Sequence, residues 1–330
     1  MTAMMELSGI SRRFVKHLDL AERIAARLGA NIKEEVVHAV DGVDLSIARG
    51  EVVGLVGESG CGKSTLGRIV AGILEPSEGT IRYRGKDVAE MQGDELRACR
   101  LAVQMIFQDP FASLNPRKRV IDIICEAPVA HGLIRSRERE GYAAEIMDQV
   151  GLDPSFMRRY PHQFSGGQRQ RVGIARAIAV KPEFLVCDEA IAALDVSIQA
   201  QVINLFMDLR EKLDLTYLFI SHDLSVVEHI ADRVVIMYLG RVVEAADTEI
   251  LFSGPNHPYA RALLEEVPRL DARRRQFQPI HGEVPSPLDP PPGCHFHPRC
   301  RFAMPRCSGE RPELRQLADG RISACHLNDE

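Results

Sequence analysis

Glycine at positions 57, 60 and 62 frames Glu58, Ser59 and Cys61, and the run closes on Lys63, Ser64 and Thr65. This stretch fits G-x-x-x-x-G-K-[ST], a pattern whose residue types are each demanded by phosphate. Glycines let the backbone curl so that successive N–H groups face a phosphate chain. Lys63 brings a compact positive charge to the β- and γ-phosphates, and the Ser64 hydroxyl is a ligand for Mg²⁺. Glu51 to Val56 reads as a short buried strand before the loop, and Thr65 to Gly72 as the helix after it. Such a helix aims its first N–H groups at the anion. The setting of strand, loop and helix predicts a nucleoside triphosphate site.

Three further groups of residues carry chemistry. Asp188 and Glu189 stand at the C-terminal end of a predicted strand, Glu183 to Asp188. Nucleotide hydrolysis needs one carboxylate to hold Mg²⁺ and a second to orient water, and Asp188 and Glu189 suit these tasks in turn. Alone, two adjacent acids are common on solvated loops; beside a phosphate loop they become specific. Ser165, Gly166, Gly167 and Gln168 open a helical run. Ser165 is a good N-cap and the glycines admit close approach of an anion, so the segment reads equally as a second phosphate site or as an ordinary capped helix. Finally, Cys294, Cys300, Cys307 and Cys325 crowd the last part of the chain, where a reducing compartment favours metal over disulfides. Their spacing lacks the C-x₂-C knuckles of common zinc sites and is not a standard ferredoxin spacing. Cys61 inside the phosphate loop reads as a thiol that merely fits.

The elements that must position these groups are legible in outline. At 330 residues the chain has room for one large domain and an appendage. A net charge of -5 gives no support to a nucleic-acid binder. No apolar run approaches the about 18 residues of a membrane span, and the start lacks a secretory apolar core, which places the chain in the cytoplasm. Alternation from Val36 to Ile47 predicts a strand, Thr80 to Val88 a hairpin turning at Gly85-Lys86, and Tyr142, Ile146 and Val150 a helix within 120–150. Leu20, Ile24 and Leu28 mark a short amphipathic helix. Parallel-sheet strands are predicted at Glu183 to Asp188, Thr216 to Ser221 and Val234 to Tyr238. From Pro255 the composition turns to Pro, Arg, His and Cys, a boundary into a small, core-poor module.

Taken together, the stretch Gly57–Thr65, Gln108 in IFQDP, FSGGQ at 164–168, CDEA at 187–190, Leu194-Asp195 and His222 in ISHDL resemble an ABC transporter ATP-binding subunit. The resemblance covers roughly residues 6 to 255. It implies an α/β P-loop fold with a RecA-like core, an antiparallel β subdomain and a helical subdomain at about 109–165, all within residues 1–255. Residues 256–330 would form the C-terminal extension. It also implies a head-to-tail dimer with two ATP molecules at the interface, each held by Gly57, Ser59, Gly60, Cys61, Gly62, Lys63, Ser64 and Thr65 of one subunit and by Ser165, Gly166, Gly167 and Gln168 of the other. By the same resemblance Glu189 is the catalytic base and His222 grips the γ-phosphate. Gln108 contacts Mg²⁺ and the attacking water, Ser64 and Asp188 ligate Mg²⁺, and Asp195 links the two sites. Phe14 is the candidate for stacking on adenine. Phe164 stands where Leu is usual and Ala190 where many relatives have Pro, and neither removes a catalytic group.

Gln108 to Arg117, Asp195 to Gln201, His257 to Pro268 and Gly282 to Cys300 look like the oligopeptide/dipeptide importer ATPases. That likeness implies uptake of peptides or a related small solute. It also implies a second, non-identical ATPase subunit, two permease subunits and an external solute-binding protein, at the cytoplasmic face of the cell membrane. It favours a [4Fe–4S] cluster on the four cysteines, with Zn²⁺ as the alternative metal. The alternative function is a soluble ABC ATPase acting on DNA, ribosomes or protein assembly. The single phosphate loop and the short interval between Gln108 and Ser165 weigh against it.

Overall fold

The computed structural model describes residues 3–16, 34–192, 194–265 and 282–329. The Leu20, Ile24 and Leu28 pattern lies outside them. Strand β3 (Val52–Val56) is buried at every residue, as a central parallel strand must be. It runs parallel to β8 (Thr216–Ile220) on one side and β9 (Arg233–Tyr238) on the other. Beyond β8 lie β7 (Phe184–Asp188) and β6 (Val103–Ile106), also parallel. Beyond β9 the chain turns back antiparallel as β10 (Arg241–Asp247). Two short strands, β12 (Ile322–Ser323) and β11 (Arg315–Gln316), continue that edge, so the order is β11-β12-β10-β9-β3-β8-β7-β6.

Side chains alternate across each strand, and here the alternation divides the core in two. Val52, Val56, Leu185, Cys187, Tyr217 and Phe219 face one side, packing with Val172, Val202, Phe206 and Val227 from the helices Gly166–Ile178, Val196–Leu213 and Leu224–Ile230. Val53, Leu55, Val186, Leu218 and Ile220 face the other, against Leu66, Ile69 and Val70 of the helix Lys63–Val70. That second face is closed by an antiparallel sheet of order β2-β1-β4-β5. Its strands are β1 (Ala3–Lys16), β2 (Glu35–Ala48), β4 (Glu78–Tyr83) and β5 (Lys86–Asp87). The β4–β5 turn is made by Arg84 and Gly85, at φ 53° and 78°, one residue earlier than the sequence pattern predicts; two consecutive positive φ values suit the right-handed twist of a hairpin. Helices Val120–Ala130 and Arg139–Gln149 form the helical region, where the Tyr142 hydroxyl donates to the Ala179 carbonyl at 2.6 Å.

The segment after residue 282 does not build a core of its own. Phe296 is 3% exposed and belongs to the cluster that contains Val56 and Tyr238. Its ring lies 5.3 Å from both Tyr238 and Tyr259, which are themselves 4.6 Å apart. Glu244, fully buried on β10, accepts from the backbone of Asn256 and His257 at 2.9 and 2.7 Å and from Arg321 at 3.1 Å. A charge this deep is tolerable only when its lone pairs are filled, and Asn256, His257 and, from the C-terminal segment, Arg321 fill them. Replacing Phe296 with Ala is therefore expected to destabilise the whole chain by about 3–5 kcal/mol. Urea unfolding should show one cooperative transition shifted down; a loss below about 1 kcal/mol would separate the extension from the core.

Candidate functional site

Open parallel sheets bind ligands outside the carboxyl ends of their strands, and each predicted catalytic group sits there. The phosphate loop follows β3, Asp188 ends β7, His222 lies just beyond β8 and Gln108 just beyond β6. Strand order thus brings together residues spread over more than a hundred positions.

The loop from Gly57 to Gly62 is held in conformations reserved for glycine. Gly57, Gly60 and Gly62 have φ of 152°, 80° and 105°. Lys63, only 4% exposed, begins the helix and folds back, donating from Nζ to the Gly57 carbonyl at 2.6 Å and the Glu58 carbonyl at 3.0 Å. Its ammonium therefore closes the loop into a ring around the space a phosphate would enter. Ser59 and Gly60 are exposed at the tip, and Thr65 is half-buried. Cys61 is buried and burial pushes its thiol up, so it stays protonated and inert.

Ser64 donates from Oγ to Asp188 Oδ1 at 2.7 Å. A hydroxyl and a carboxylate oxygen side by side are the donor type that Mg²⁺ selects. Burial, the largest influence, pushes the Asp188 carboxyl up, and the Glu189 charge adds to this; Ser64, Arg68 and Lys63 hold it down. A divalent cation would relieve that cost. Glu189 follows with φ of 46°, a left-handed backbone that a non-glycine residue adopts at some expense. Its backbone N–H donates to the Ile220 carbonyl at 3.0 Å. The side chain is met from both flanks, by Gln108 Nε2 donating to Oε2 at 2.6 Å and by His222 Nδ1 at 3.4 Å from Oε1. Gln108, Glu189 and His222 thus form one cluster.

Ser165 caps the helix Gly166–Ile178 with a reciprocal pair: its Oγ accepts from Gln168 N–H at 3.3 Å, and its own N–H donates to Gln168 Oε1 at 3.1 Å. The Ser165–Gln168 segment packs on its own neighbours, Gly166 facing Leu194 and Gly167 facing Ile198. Asp195 is exposed at the start of the helix Val196–Leu213, and Val196 beside it is 82% exposed. None of these residues is hydrogen-bonded to the phosphate loop among the described residues. Phe14, 39% exposed on β1, lies under the Arg12 guanidinium at 4.9 Å.

Cys294, Cys300, Cys307 and Cys325 line one small cavity with Phe296, His297 and His326. Burial, and then the neighbouring cysteines, push the Cys294 thiol up to about 11. Among the described residues no group of three or more His, Cys, Asp or Glu side chains is gathered to hold a metal ion. The expected four-cysteine metal site therefore has shared walls but no coordination geometry. Tyr259 and Arg299 also converge on the phosphate loop, at Glu58, a contact that the sequence pattern did not indicate because Glu58 and Arg299 are 241 positions apart.

The fold and this arrangement define an ATP-binding cassette ATPase, and comparison with known proteins places the chain more narrowly. A family model described as ABC transporter matches residues 40–192, and one described as the C-terminal region of the oligopeptide/dipeptide transporter matches 243–307. The oligopeptide transport ATP-binding protein AppF of Bacillus subtilis is 52% identical over 295 residues, spanning 88% of this chain and 90% of that protein. The dipeptide transport ATP-binding protein DppF of Haemophilus influenzae is 47% identical over 309 residues, spanning 93% and 94%. A dimeric structure of the ATP-binding cassette MJ0796 bound to ADP and Pi superposes with a TM-score of 0.62 at 27% identity, covering 74% of this chain and 99% of that one. The chain belongs to the oligopeptide/dipeptide transport ATP-binding proteins of the ABC transporter family. It is a transport ATPase, and the soluble, non-transport alternative is set aside.

The buried Asp188 carboxylate generates a prediction whose sign follows from linkage. Its folded pKa lies above the unfolded value, so between the two the folded chain holds the extra proton and stability falls as pH rises. Asp188→Asn removes that penalty. The ligand-free variant should melt higher than wild type at neutral pH, while the further stabilisation by Mg²⁺ and ATP disappears. A variant that melts lower, or keeps the Mg²⁺-dependent shift, contradicts this account.

Proposed function

We propose that the chain hydrolyses ATP at two composite sites of a dimer and so drives uptake of di- or oligopeptides, or a related small solute, through two permease subunits fed by an external solute-binding protein. The observation that carries this reading is the clustering of Gln108, Glu189 and His222 beside the phosphate loop, while Ser165–Gln168 and Asp195 make no hydrogen bond to that loop among the described residues. A helix start with two glycines and an exposed Val196 make sense if a second subunit's nucleotide covers them. The solved MJ0796 cassette, bound to ADP and Pi, is likewise described as dimeric. The relatives named for oligopeptide and dipeptide transport support the substrate class. The dimeric MJ0796 cassette supports a second ATPase subunit, here proposed as non-identical. Among the described residues no helix is long and apolar enough to cross a membrane. We place the chain at the cytoplasmic face, held there by its permeases.

Glu189 is the proposed base: its carboxylate accepts the proton of the attacking water while Lys63 and the loop N–H groups hold the β- and γ-phosphates. Gln108, now bonded to Glu189, and His222 beside it would turn to the water and the γ-phosphate when ATP enters. Ser64, Asp188 and Gln108 would hold Mg²⁺, which would supply charge neutralisation on the phosphates. The four thiols around one cavity are the donor set of a [4Fe–4S] cluster, or of Zn²⁺, and we propose that Cys294, Cys300, Cys307 and Cys325 hold such a group as a structural staple.

Glu189→Gln should bind ATP normally, lose turnover by at least about a hundredfold and accumulate as a closed dimer on size-exclusion chromatography. Near wild-type turnover in this variant would falsify the assignment of the base. Cys300→Ser should strip iron or zinc from anaerobically purified protein on elemental analysis; unchanged metal content removes Cys300 from the ligand set.

A further inference from the structure

The second residue of the phosphate loop is an acid, and an acid there is a problem. A triphosphate brings several negative charges to the loop, and the Glu58 carboxylate would repel them. In this protein the acid is captured. Arg299, from the C-terminal extension, donates from Nη1 to Glu58 Oε2 at 2.7 Å and from Nη2 to Oε1 at 2.9 Å, a bidentate pair. The Arg299 side chain is 5% exposed and that of Glu58 23%, so water screens the pair poorly. Arg299 is in turn held by the Tyr238 hydroxyl at 3.3 Å. The backbone of Glu58 is anchored as well, its N–H donating to the Tyr259 hydroxyl at 2.9 Å. Its carbonyl accepts from Cys61 N–H at 3.3 Å and from Lys63 Nζ at 3.0 Å. One residue of the loop is therefore fixed at carboxylate, N–H and carbonyl.

We propose that Arg299 is a positioning residue for the ATPase: acting through Glu58, it neutralises the one acidic side chain of the phosphate loop and pins that loop in its anion-receiving shape. The C-terminal extension is then a part of the nucleotide site and not an accessory beside it. The inference rests on the proposed nucleotide site. It makes ATP affinity, more than the chemical step, the quantity that Arg299 controls, because Arg299 reaches the loop's charge but not Glu189.

The test uses the full chain, titrated with ATP and Mg²⁺. Arg299→Ala should weaken ATP binding roughly tenfold, with kcat in the assembled transporter changed by less than about twofold. The added change Glu58→Gln should restore affinity to within about twofold of wild type, since the repelling charge is then gone. The Arg299→Ala penalty should also shrink as salt rises from about 50 mM to about 0.5 M. A purely structural role for Arg299 would give neither the rescue nor the salt dependence. Wild-type affinity in Arg299→Ala, or no rescue by Glu58→Gln in a folded double variant, overturns the proposal. Should Arg299→Ala fail to fold, Glu58→Gln alone decides: tighter ATP binding is expected, and unchanged or weaker binding overturns it. Lys63→Ala separates the two levels of the argument. If that variant still binds ATP, the nucleotide site itself is misplaced; if it does not, a null result at Arg299 sinks only the present inference.

Discussion

A loop that must wrap an anion with its own N–H groups leaves no room for side chains, and the packing of this protein closes tightly around that requirement. A Cβ at Gly57 would sit 2.2 Å from the Met237 carbonyl oxygen, and one at Gly62 would sit 2.1 Å from that of Ala39. Both obstacles are backbone, so neither can yield. The loop is thus pressed between the end of β9 and the β2 strand of the second sheet, and its shape is dictated by both layers at once. Glycine at these positions is a demand of the tertiary structure as much as of the phosphate.

What the sequence made legible follows from how local each signal is. The phosphate loop, the capping pair of Ser165 and Gln168, and the buried strands β3, β7, β8 and β9 are each specified by neighbours in the chain. A continuous apolar run or an S-x-x-Q cap needs no distant partner to be recognised. Strand β10 was not legible because RVVEAAD carries an acid in its middle, and only the contacts from Asn256, His257 and Arg321 explain how Glu244 is buried. The short strands β11 and β12 are too brief for any pattern. The last segment looks core-poor for a related reason: its main anchor, Phe296, is a lone aromatic whose partners Tyr238 and Tyr259 lie elsewhere in the chain.

The catalytic cluster shows the same division. Asp188, Glu189, Gln108 and His222 could be named from their motifs, yet their mutual bonding is a product of strand order. β6, β7 and β8 are adjacent and parallel, so the residues beyond their carboxyl ends meet above one edge of the sheet. Glu189 takes its left-handed backbone at that meeting point, where the chain leaves β7 and its N–H still bonds to β8. Strain of this kind persists only where the surroundings over-determine it. Here the parallel neighbour fixes the backbone and two side chains fix the carboxylate.

The C-terminal extension has to be understood through the same crowding. Its strand β12 pairs with β10, its Pro287 carbonyl accepts from His38 N–H at 3.1 Å, and its Arg311 lies 3.9 Å from Asp41. Asp41 is also bonded to Arg241 at 2.7 Å, and its carboxyl is lowered despite burial by these two cations. The extension therefore grips β2, which borders the phosphate loop, and β10, the neighbour of β9, before Arg299 reaches the loop itself. Any group that stiffened the four-cysteine region would act on Arg299 directly, because Arg299 is adjacent to Cys300 in the chain. The phosphate loop and the cysteine cavity are then joined twice, through the Arg299 guanidinium on Glu58 and through Tyr259, whose hydroxyl meets the Glu58 N–H and whose ring packs on Phe296 of the cavity wall.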